Sequence, residues 1–497
     1  MRNALFVAIA LASCIAPVAK AATFTVTNLA DNGTGSLRAA IAAADALAGA
    51  DTIQFQGGLA GTITLTSGEL LIGDSLTLVG PGASLITLDA NGASRALHLS
   101  STSPENKSYT LSGLSVIGGN TGTSSGNDSG GGLYFELAAS SSARPPIALA
   151  NMVFAGNHAA RNGGGVSVSG ANLHLANVVI TGNQVGGGFQ PSGGGLYFNR
   201  GQVRIERSRI VGNNAELNAG GIYLSSPGVS AVMVDTLVQD NTATHSGGGM
   251  VGSTMNSLSI SRSAFIDNAV TNQTEGGGLY FAGVTDAGSA ENVIENSTFS
   301  GNVSQHQSGR GSALAVASGN MTVRNSTFAF NKTSPDTAPG TNAGGALWVA
   351  NGASTRVTVQ STLFAGNTHG NASVPSDLTR LTGGTVQSSL TVDHSLFEVM
   401  PAIGVITSSG AGNLEADALL MPLTQDAGGI TPAHPIPLES PAVDAGSNPA
   451  NLATDQRGAG FARVVDANAC HRPLVARPDI GAFEYRADTI FCYGFQN

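Results

Sequence analysis

Two short apolar patterns alternate along the middle of the chain, and both have the spacing of β-strands. The first is a pair or triple of glycines followed by an apolar-x-apolar strand, as in Gly193-Gly194-Gly195-Leu196-Tyr197-Phe198. The second is an apolar residue followed three positions later by asparagine, as in Phe265 to Asn268. Alternation with a period of two is typical of strands, whereas a helix buries every third or fourth residue. The pattern predicts many short strands and excludes ankyrin and tetratricopeptide arrays.

The copies of both patterns recur every 26 to 36 residues, so each pair of copies marks one coil of a repeat structure. Glycine copies begin at Gly130, Gly163, Gly193, Gly220, Gly247, Gly276 and Gly344, with a degenerate copy at Ala313-Leu314-Ala315-Val316. The asparagine copies end at Asn157, Asn183, Asn213, Asn241, Asn268, Asn302, Asn331 and Asn367, and Phe397 is a last copy without its asparagine.

Stacked parallel strands place equivalent residues of successive coils about 4.8 Å apart. Repeated asparagine then suits one corner, because asparagine tolerates left-handed turns and its amides can form a ladder between coils. Repeated glycine suits another corner, where positive φ or close backbone approach is required. Crossover chirality predicts a right-handed parallel β-helix, an all-β solenoid. Its inward positions include Leu133, Phe135, Leu196, Phe198, Ile222 and Leu224.

The open ends of a solenoid need covers. Residues 35–45 predict a helix with Ser36 as N-cap and with Leu37, Ile41 and Ala44 on one face, which we expect to cap the N-terminal end. The stretch after Pro401 loses the repeat and predicts an irregular C-terminal cap. The expected organisation is a signal peptide (1–21), an N-terminal cap with the first coils (22–108), β-helix repeats (109–400), a C-terminal cap (401–486) and a tail (487–497).

The first residues predict export. Arg2 supplies a positive start, residues 4–12 an apolar core and Ala19-Lys20-Ala21 a small-x-small cleavage site. An alternative is a lipoprotein signal, because Leu11-Ala12-Ser13-Cys14 would leave Cys14 as a lipidated first residue. Glycine, asparagine and serine interrupt every later apolar run before the ~18 residues of a membrane-spanning helix. We therefore expect a secreted or cell-surface protein without a membrane-spanning segment.

Composition narrows the possible partners. The net charge of −10 argues against nucleic acid, and any basic groove would have to be built from arginines, because the chain beyond residue 21 holds only Lys107 and Lys332. Cys470 and Cys492 are the cysteines left after cleavage, and we expect a disulfide between them in an oxidising compartment, with two free thiols as the alternative.

The candidate binding site is a row of residues between the inward positions of the glycine strands. Read coil by coil, it is Tyr134, Ser167, Tyr197, Tyr223, Val251, Tyr280, Ala315 and Trp348. Five of the eight tyrosine and tryptophan residues of the chain fall in it. One aromatic ring per coil would form a stacking track for a glycan, although neighbouring aromatics also stiffen a sheet by packing on each other.

A second row offers the charged residues that an enzyme would need. Arg207, Asp235 and Arg262 form it, with Glu206, Glu295 and Arg324 one position earlier. Alternating signs on stacked coils predict salt-bridge ladders; in an enzyme, Arg262 would be a base or charge clamp and Asp235 an acid. The sequence predicts no cofactor, since the histidines lack metal-ligand spacing. Asn127-Asp128-Ser129 carries oxygen ligands of the kind that bind calcium weakly, but the default interpretation is a solvated turn.

The glycine and Phe-x-x-Asn units over roughly residues 110–400 are similar to the repeats of the polymorphic outer-membrane proteins of Gram-negative bacteria. Residues 25–55 resemble the N-terminal cap of secreted pectate-lyase-like β-helices. Three C-terminal motifs resemble the choice-of-anchor Q family: Ser440-Pro441-Ala442-Val443-Asp444-Ala445-Gly446, Asp455-Gln456-Arg457-Gly458 and Asp479-Ile480-Gly481-Ala482-Phe483-Glu484. The resemblance implies surface display or secretion and does not define an activity.

These observations favour an adhesin-like, non-catalytic protein that binds polysaccharides or cell-surface glycans through its lateral face. The alternative is a polysaccharide lyase or glycoside hydrolase, because this fold carries many such enzymes. The sequence motifs of polygalacturonases are absent from the chain. A groove with two carboxylates, or an arginine and a carboxylate, at roughly 5 to 10 Å would favour the enzyme, and a face without one would favour binding.

Overall fold

The chain folds as a right-handed parallel β-helix, as its sequence predicts, with four sheets running side by side along one axis. The computed structural model describes residues 21–100, 107–122, 128–137, 141–272, 275–284, 291–306, 309–333, 344–352, 354–370, 374–382, 387–402, 404–425, 428–465 and 476–486. A typical coil visits the four sheets in a constant order, and each strand pairs in parallel with its equivalent in the next coil, as Leu196–Asn199 does with Ile222–Ser225.

The glycine sheet contains the strands that follow the glycine pattern, together with equivalent strands of the first and last coils. Its described strands are Leu70–Ile72, Leu97–Leu99, Leu133–Glu136, Val166–Ser169, Leu196–Asn199, Ile222–Ser225, Met250–Met255, Leu279–Gly283, Leu314–Ser318, Leu347–Val349 and Leu378–Arg380. The glycines precede it because the backbones crowd there. A Cβ on Gly194 would lie 2.3 Å from the carbonyl oxygen of Asn214, while Gly193 has a φ of +72°. Both reasons predicted for glycine at this corner are confirmed.

The charged sheet comes next in each coil. It contains Thr23–Val26, Asp51–Phe55, Leu76–Val79, Tyr109–Ser112, Pro146–Ala150, Asn172–Ala176, Gln202–Glu206, Ser230–Val234, Ser257–Ser261, Val293–Glu295, Asn320–Arg324, Arg356–Gln360, Ser389–Asp393 and Ser408–Ser409.

The phenylalanine sheet follows and carries the Phe-x-x-Asn pattern. Its strands are Gly61–Thr64, Ile86–Asp89, Ser115–Ile117, Val153–Ala155, Val179–Thr181, Arg209–Val211, Leu237–Gln239, Ala264–Ile266, Thr298–Ser300, Thr327–Ala329, Leu363–Ala365, Leu396–Phe397 and Leu414–Glu415. Its phenylalanines stack inside the solenoid: the ring centroids of Phe265 and Phe299 are 4.7 Å apart and those of Phe299 and Phe328 are 4.9 Å apart.

The short-strand sheet completes the coil with two-residue strands. They are His158–Ala159, Gln184–Val185, Asn214–Ala215, Thr242–Ala243, Ala269–Val270, Val303–Ser304, Lys332–Thr333, Thr368–His369 and Val374–Pro375. The last two of these strands pair antiparallel. Apolar residues from the other three sheets form one continuous buried core that includes all six predicted inward positions.

The buried asparagines form the predicted amide ladder. Nδ2 of Asn213 donates to Oδ1 of Asn241 at 2.9 Å, and Asn241 repeats the contact to Asn268 at 3.0 Å. The same bond joins each of the eight asparagines to the next. The expected left-handed conformation of asparagine is wrong at this corner, because positive φ belongs to the preceding residue, such as Gly212 at 65° or Asp240 at 53°. The position requires asparagine for the hydrogen bonds of its side-chain amide, and not for its backbone conformation.

Among the described residues, Leu37–Asp45 is the helix that the sequence predicts. The Ser36 side chain accepts a hydrogen bond from the Ala39 N–H, and Leu37, Ile41 and Ala44 join the main core. The helix packs against Thr23–Val26, Asp51–Phe55 and Leu70–Ile72.

The described residues after Glu415 turn back along the outer face of the phenylalanine sheet. We call residues 416–425, 428–465 and 476–486 the fold-back segment. Gln456 accepts a hydrogen bond from the Thr298 hydroxyl at 2.6 Å, and His434 lies 2.9 Å from the Ser300 hydroxyl. The segment therefore contacts the side of the solenoid. The predicted domain boundaries remain predictions.

Candidate functional site

The register of the glycine sheet aligns the predicted aromatic row. Tyr134 pairs with Ser167, Ser167 with Tyr197, and Tyr197 with Tyr223. Further pairs connect Tyr223 to Val251, Val251 to Tyr280, Tyr280 to Ala315 and Ala315 to Trp348. The row therefore lies along the axis with one residue per coil, outside the main core.

Tyr197 and Tyr223 form the central part of this row. Their ring centroids are 5.4 Å apart and their planes differ by 5°, so the two rings stack in parallel. Both side chains are partly exposed. Burial raises the pKa of Tyr197, and the amide of Asn199, 3.4 Å from its hydroxyl, opposes that rise. Two stacked rings are thus held in one orientation with part of their surface open to solvent.

A polar cleft of about 220 Å³ opens beside the stacked tyrosines. The strands provide Tyr197 and Tyr223, and the connections from the short-strand sheet to the glycine sheet provide the rest. That remainder is Arg161, Asn162, Phe189, Gln190, Ser192, Leu217 and Asn218. Phe189 is 72% exposed. The cleft therefore combines aromatic surface with amide, hydroxyl and guanidinium groups, the combination that orients a small ligand.

Sequence reasoning missed the residues that the connections bring to the cleft. Phe189 lies in Gly186-Gly187-Gly188-Phe189-Gln190-Pro191, outside both repeated patterns. The available signal is an aromatic residue between glycines and proline, since a large apolar side chain in such a turn has no core position to occupy.

Tyr134, at the N-terminal end of the row, is covered by protein. It is 4% exposed, the Arg95 guanidinium lies 4.5 Å from its ring centroid, and the His98 ring lies 5.3 Å from it. Its hydroxyl donates to the Glu136 carboxylate. The ring of Tyr134 thus contacts protein groups in this structure, and its predicted role as a ligand contact remains a prediction.

Trp348, at the other end, is also covered. It is 2% exposed, and the Arg310 guanidinium lies 5.1 Å from its ring centroid. Trp348 and Ala315 belong to a small apolar cluster against which Tyr280 packs. Tyr280 is partly exposed, and burial together with the charge of Glu275 raises its pKa to about 12. The open part of the row therefore consists of Tyr197, Tyr223 and Tyr280.

The second predicted row forms the salt-bridge ladder that its alternating charges indicate. The Arg262 guanidinium bonds Asp235 through two nitrogen atoms, at 2.8 and 3.0 Å. Arg324 and Glu295 are 2.8 Å apart. Arg207, Asp235 and Arg262 lie at the corner after the charged sheet, with φ between 46° and 50°. Arg262 and Asp235, the base and acid that the sequence suggests for an enzyme, are therefore paired with each other in a salt bridge.

Other predicted sites fall partly or wholly outside the described residues. Cys470 and Cys492 both do, and so does Asn127 of the candidate calcium turn. Where the structure describes side chains, no group of three or more histidine, cysteine, aspartate or glutamate residues is placed to hold a metal ion. Nor does that part of the chain include a helix with the length and hydrophobicity needed to cross a bilayer.

The three C-terminal motifs meet in the fold-back segment. The Asp444 N–H donates to Asp479 at 2.8 Å, and the Glu484 N–H donates to Asp455 at 3.0 Å. Arg457 bonds Asp455 at 2.5 Å. These polar residues bond to one another and so stabilise the fold-back segment.

Neither a scan against protein-family models nor a search of curated proteins returns a match to this chain.

Proposed function

We propose that this protein is an exported, adhesin-like β-helix that binds glycans through the outer face of its glycine sheet. The observation that carries the proposal is the stacked, partly exposed pair Tyr197 and Tyr223 at the edge of the polar cleft. Aromatic rings offer a large apolar surface of fixed orientation, and sugar rings present apolar C–H faces that pack on such surfaces. The surrounding polar groups would pair with sugar hydroxyls.

The dimensions of the cleft favour part of a longer chain as ligand. Its volume of about 220 Å³ is below the roughly 300–1,000 Å³ typical of small-molecule pockets. We therefore expect one or two sugar rings to contact Tyr197, Tyr223 and Phe189, with the rest of the polysaccharide continuing along the solenoid. Tyr280, one row position beyond Val251, lies in that direction.

Binding is favoured over hydrolysis or elimination by the chemistry of the cleft. Among the described residues that line it, Arg161 is the charged one, and no carboxylate accompanies it. Asp235 and Arg262, the acid and base that the sequence suggests, are paired with each other at a corner of the charged sheet. A lyase or hydrolase needs a positioned acid and base beside the sugar.

Retention on polysaccharides tests the proposal. The purified protein, without residues 1–21, is passed over neutral and acidic polysaccharides, with and without calcium, while new reducing ends and unsaturated products are recorded. We expect retention without turnover. Turnover on any substrate would replace the proposal with the polysaccharide lyase or hydrolase.

A pair of variants locates the binding surface. The double variant Tyr197→Ala/Tyr223→Ala should weaken retention at least about tenfold, a loss of about 1.4 kcal/mol. Phe330→Ala is the matched control, because Phe330 is a 51% exposed aromatic residue outside the glycine sheet. Equal retention by the double variant and the wild type would remove the tyrosine pair as the site.

Export is tested separately. The resemblance to surface β-helices and the pattern of residues 1–21 support secretion or display on a Gram-negative cell. Mass spectrometry of the N-terminus after expression in a Gram-negative host should find Ala22 as the first residue. A lipidated Cys14 would establish the lipoprotein alternative, and an uncleaved Met1 in the cytoplasm would contradict export.

A further inference from the structure

A second concave surface lies on the outer face of the charged sheet, away from the tyrosine pair. It is a groove of about 540 Å³, and the residues that shape it include Pro146, Ala148, His174, Gln202, Arg204 and Val232. The strand register explains its form, since Ala148, His174, Arg204 and Val232 are successive partners along one outward row. Small apolar side chains lie at both ends of this row and longer polar ones between them. Most of the exposed lining is apolar, as in typical ligand sites.

The electrostatics of this groove differ from those of the whole chain. Glu206 lies 2.8 Å from Arg204, 3.0 Å from Arg207 and 3.2 Å from His174. Burial opposes ionisation of Glu206, but hydrogen bonds from Arg204 and His174 outweigh it and hold its pKa below the usual value. One carboxylate thus faces two arginines, so the cluster keeps a net positive charge on a protein whose formal charge is −10.

Arg204 is placed to use that charge on a ligand. Its bonds to Glu206 involve Nε and Nη2, so Nη1 takes no part in that pair. The side chain is 50% exposed and lines the groove. A guanidinium group pairs with carboxylate and sulfate oxygens through parallel N–H bonds, with more directional preference than an ammonium group.

We propose that the charged-sheet groove binds an acidic sugar, with its carboxylate or sulfate group on Arg204 and its ring against Val232, one coil away. The exposed amide of Gln202, on the neighbouring row, contacts the sugar hydroxyls. Nucleic acid is disfavoured because its repeated phosphates would meet the remaining acidic surface. This site is separate from the polar cleft beside Tyr197 and Tyr223, here called the tyrosine cleft, since the two lie on different sheets.

Small probes test the groove directly. Binding of glucuronate, glucose 6-sulfate and glucose to the full mature chain is measured by saturation-transfer NMR and calorimetry. We expect both acidic sugars to bind at least about tenfold more tightly than glucose, a difference of about 1.4 kcal/mol. Equal binding of glucose, or no binding of any probe, would overturn the proposal.

Variants connect the affinity to the groove. Arg204→Gln should weaken binding of the acidic probes at least about tenfold, and Val232→Trp should do the same by filling the apolar end. Arg209→Gln is the control, because Arg209 is an exposed arginine on the phenylalanine sheet. An equal loss in the control would show a general charge effect and overturn the site. Exposed salt bridges contribute little to stability, so Arg204→Gln should fold normally.

Two further measurements distinguish this site from a lipid-binding surface and from the tyrosine cleft. Vesicles of phosphatidylglycerol and of phosphatidylcholine test a lipid headgroup as the source of the anion; binding to the anionic vesicles alone would overturn the sugar proposal. Tyr197→Ala/Tyr223→Ala should leave the affinity for glucuronate unchanged. Loss of glucuronate binding in that variant would assign the acidic sugar to the tyrosine cleft instead.

Discussion

Asp377 ends the ladder of buried asparagines. Asn367 is the last of the eight asparagines and has no further asparagine to bond. Its Nδ2 donates instead to the Asp377 carboxylate at 2.9 Å. Burial raises the pKa of Asp377 to about 7; the bond from Asn367 opposes the rise and the nearby charge of Glu398 adds to it. The row of neutral amides therefore ends at a buried carboxyl group whose ionised form is disfavoured by its surroundings.

This residue should make stability depend on pH. Because the pKa of Asp377 is about 7 in the folded chain against an ordinary value of 3.8, the folded state binds its proton more tightly. The free energy of unfolding should therefore fall as pH rises from about 4 to about 7. Asp377→Asn should stabilise the protein at pH 8, by on the order of 2 kcal/mol, and have little effect near pH 4. Urea unfolding at both pH values measures the difference.

The exposed carboxylate Asp417 supplies the control for that experiment. Asp417→Asn should leave the free energy of unfolding nearly unchanged at both pH values. An equal gain from Asp377→Asn at pH 4 and pH 8 would show that an added amide contact, and not the buried charge, is responsible.

At the scale of the strands, the sequence predicts the fold well because one residue type recurs at a fixed place in every coil. Glycine and asparagine mark two corners of each coil, so the sequence predicts which residues of each strand point inward and which point outward. The alignment of Tyr197 with Tyr223 follows from this. The burial of Tyr134 and Trp348 could not be predicted from the sequence. The covering groups, Arg95 and Arg310, lie outside the repeated patterns.

The glycine corner gives a direct test of this arrangement. Gly194→Ala should cost more than about 3 kcal/mol or prevent folding, because its Cβ would lie 2.3 and 2.5 Å from two backbone oxygens. Gly212→Ala should cost only about 1 kcal/mol, because Gly212 has a positive φ but nothing within 4 Å of the added Cβ. Chemical denaturation of the two variants measures both. Equal costs would mean that the neighbouring backbone moves to accommodate the added Cβ, and that close approach does not select glycine at position 194.

On the scale of the whole molecule, the fold-back segment makes the two halves of the solenoid different. Outward residues of the phenylalanine sheet are buried in the later coils, including Leu237, Ala264 and Thr298, whereas Val179 and Arg209 of earlier coils reach solvent. The change from Arg209 to Leu237 at equivalent positions is the sequence signal for this cover. This signal is visible only once the register of the phenylalanine sheet is known.

The contact between Thr298 and Gln456 tests how firmly the segment is held. Thr298→Val should cost about 1 to 2 kcal/mol, because it leaves the buried Gln456 oxygen without its donor at 2.6 Å. Thr181→Val, a partly exposed threonine of the same sheet in an uncovered coil, should change stability by less than about 0.5 kcal/mol. Urea unfolding gives both values, and limited proteolysis should cut residues 416–465 faster in Thr298→Val. Identical behaviour of the two variants would show that other contacts hold the segment.

The asparagine ladder also makes the molecule a ruler. Successive rungs are 26, 30, 28, 27, 34, 29 and 36 residues apart along the chain, yet each rung advances the axis by the same strand spacing of about 4.8 Å. Length along the axis is therefore set by the number of coils and not by the number of residues in each coil. Duplication or loss of one complete coil would lengthen or shorten the protein by one step while every remaining rung kept its partner.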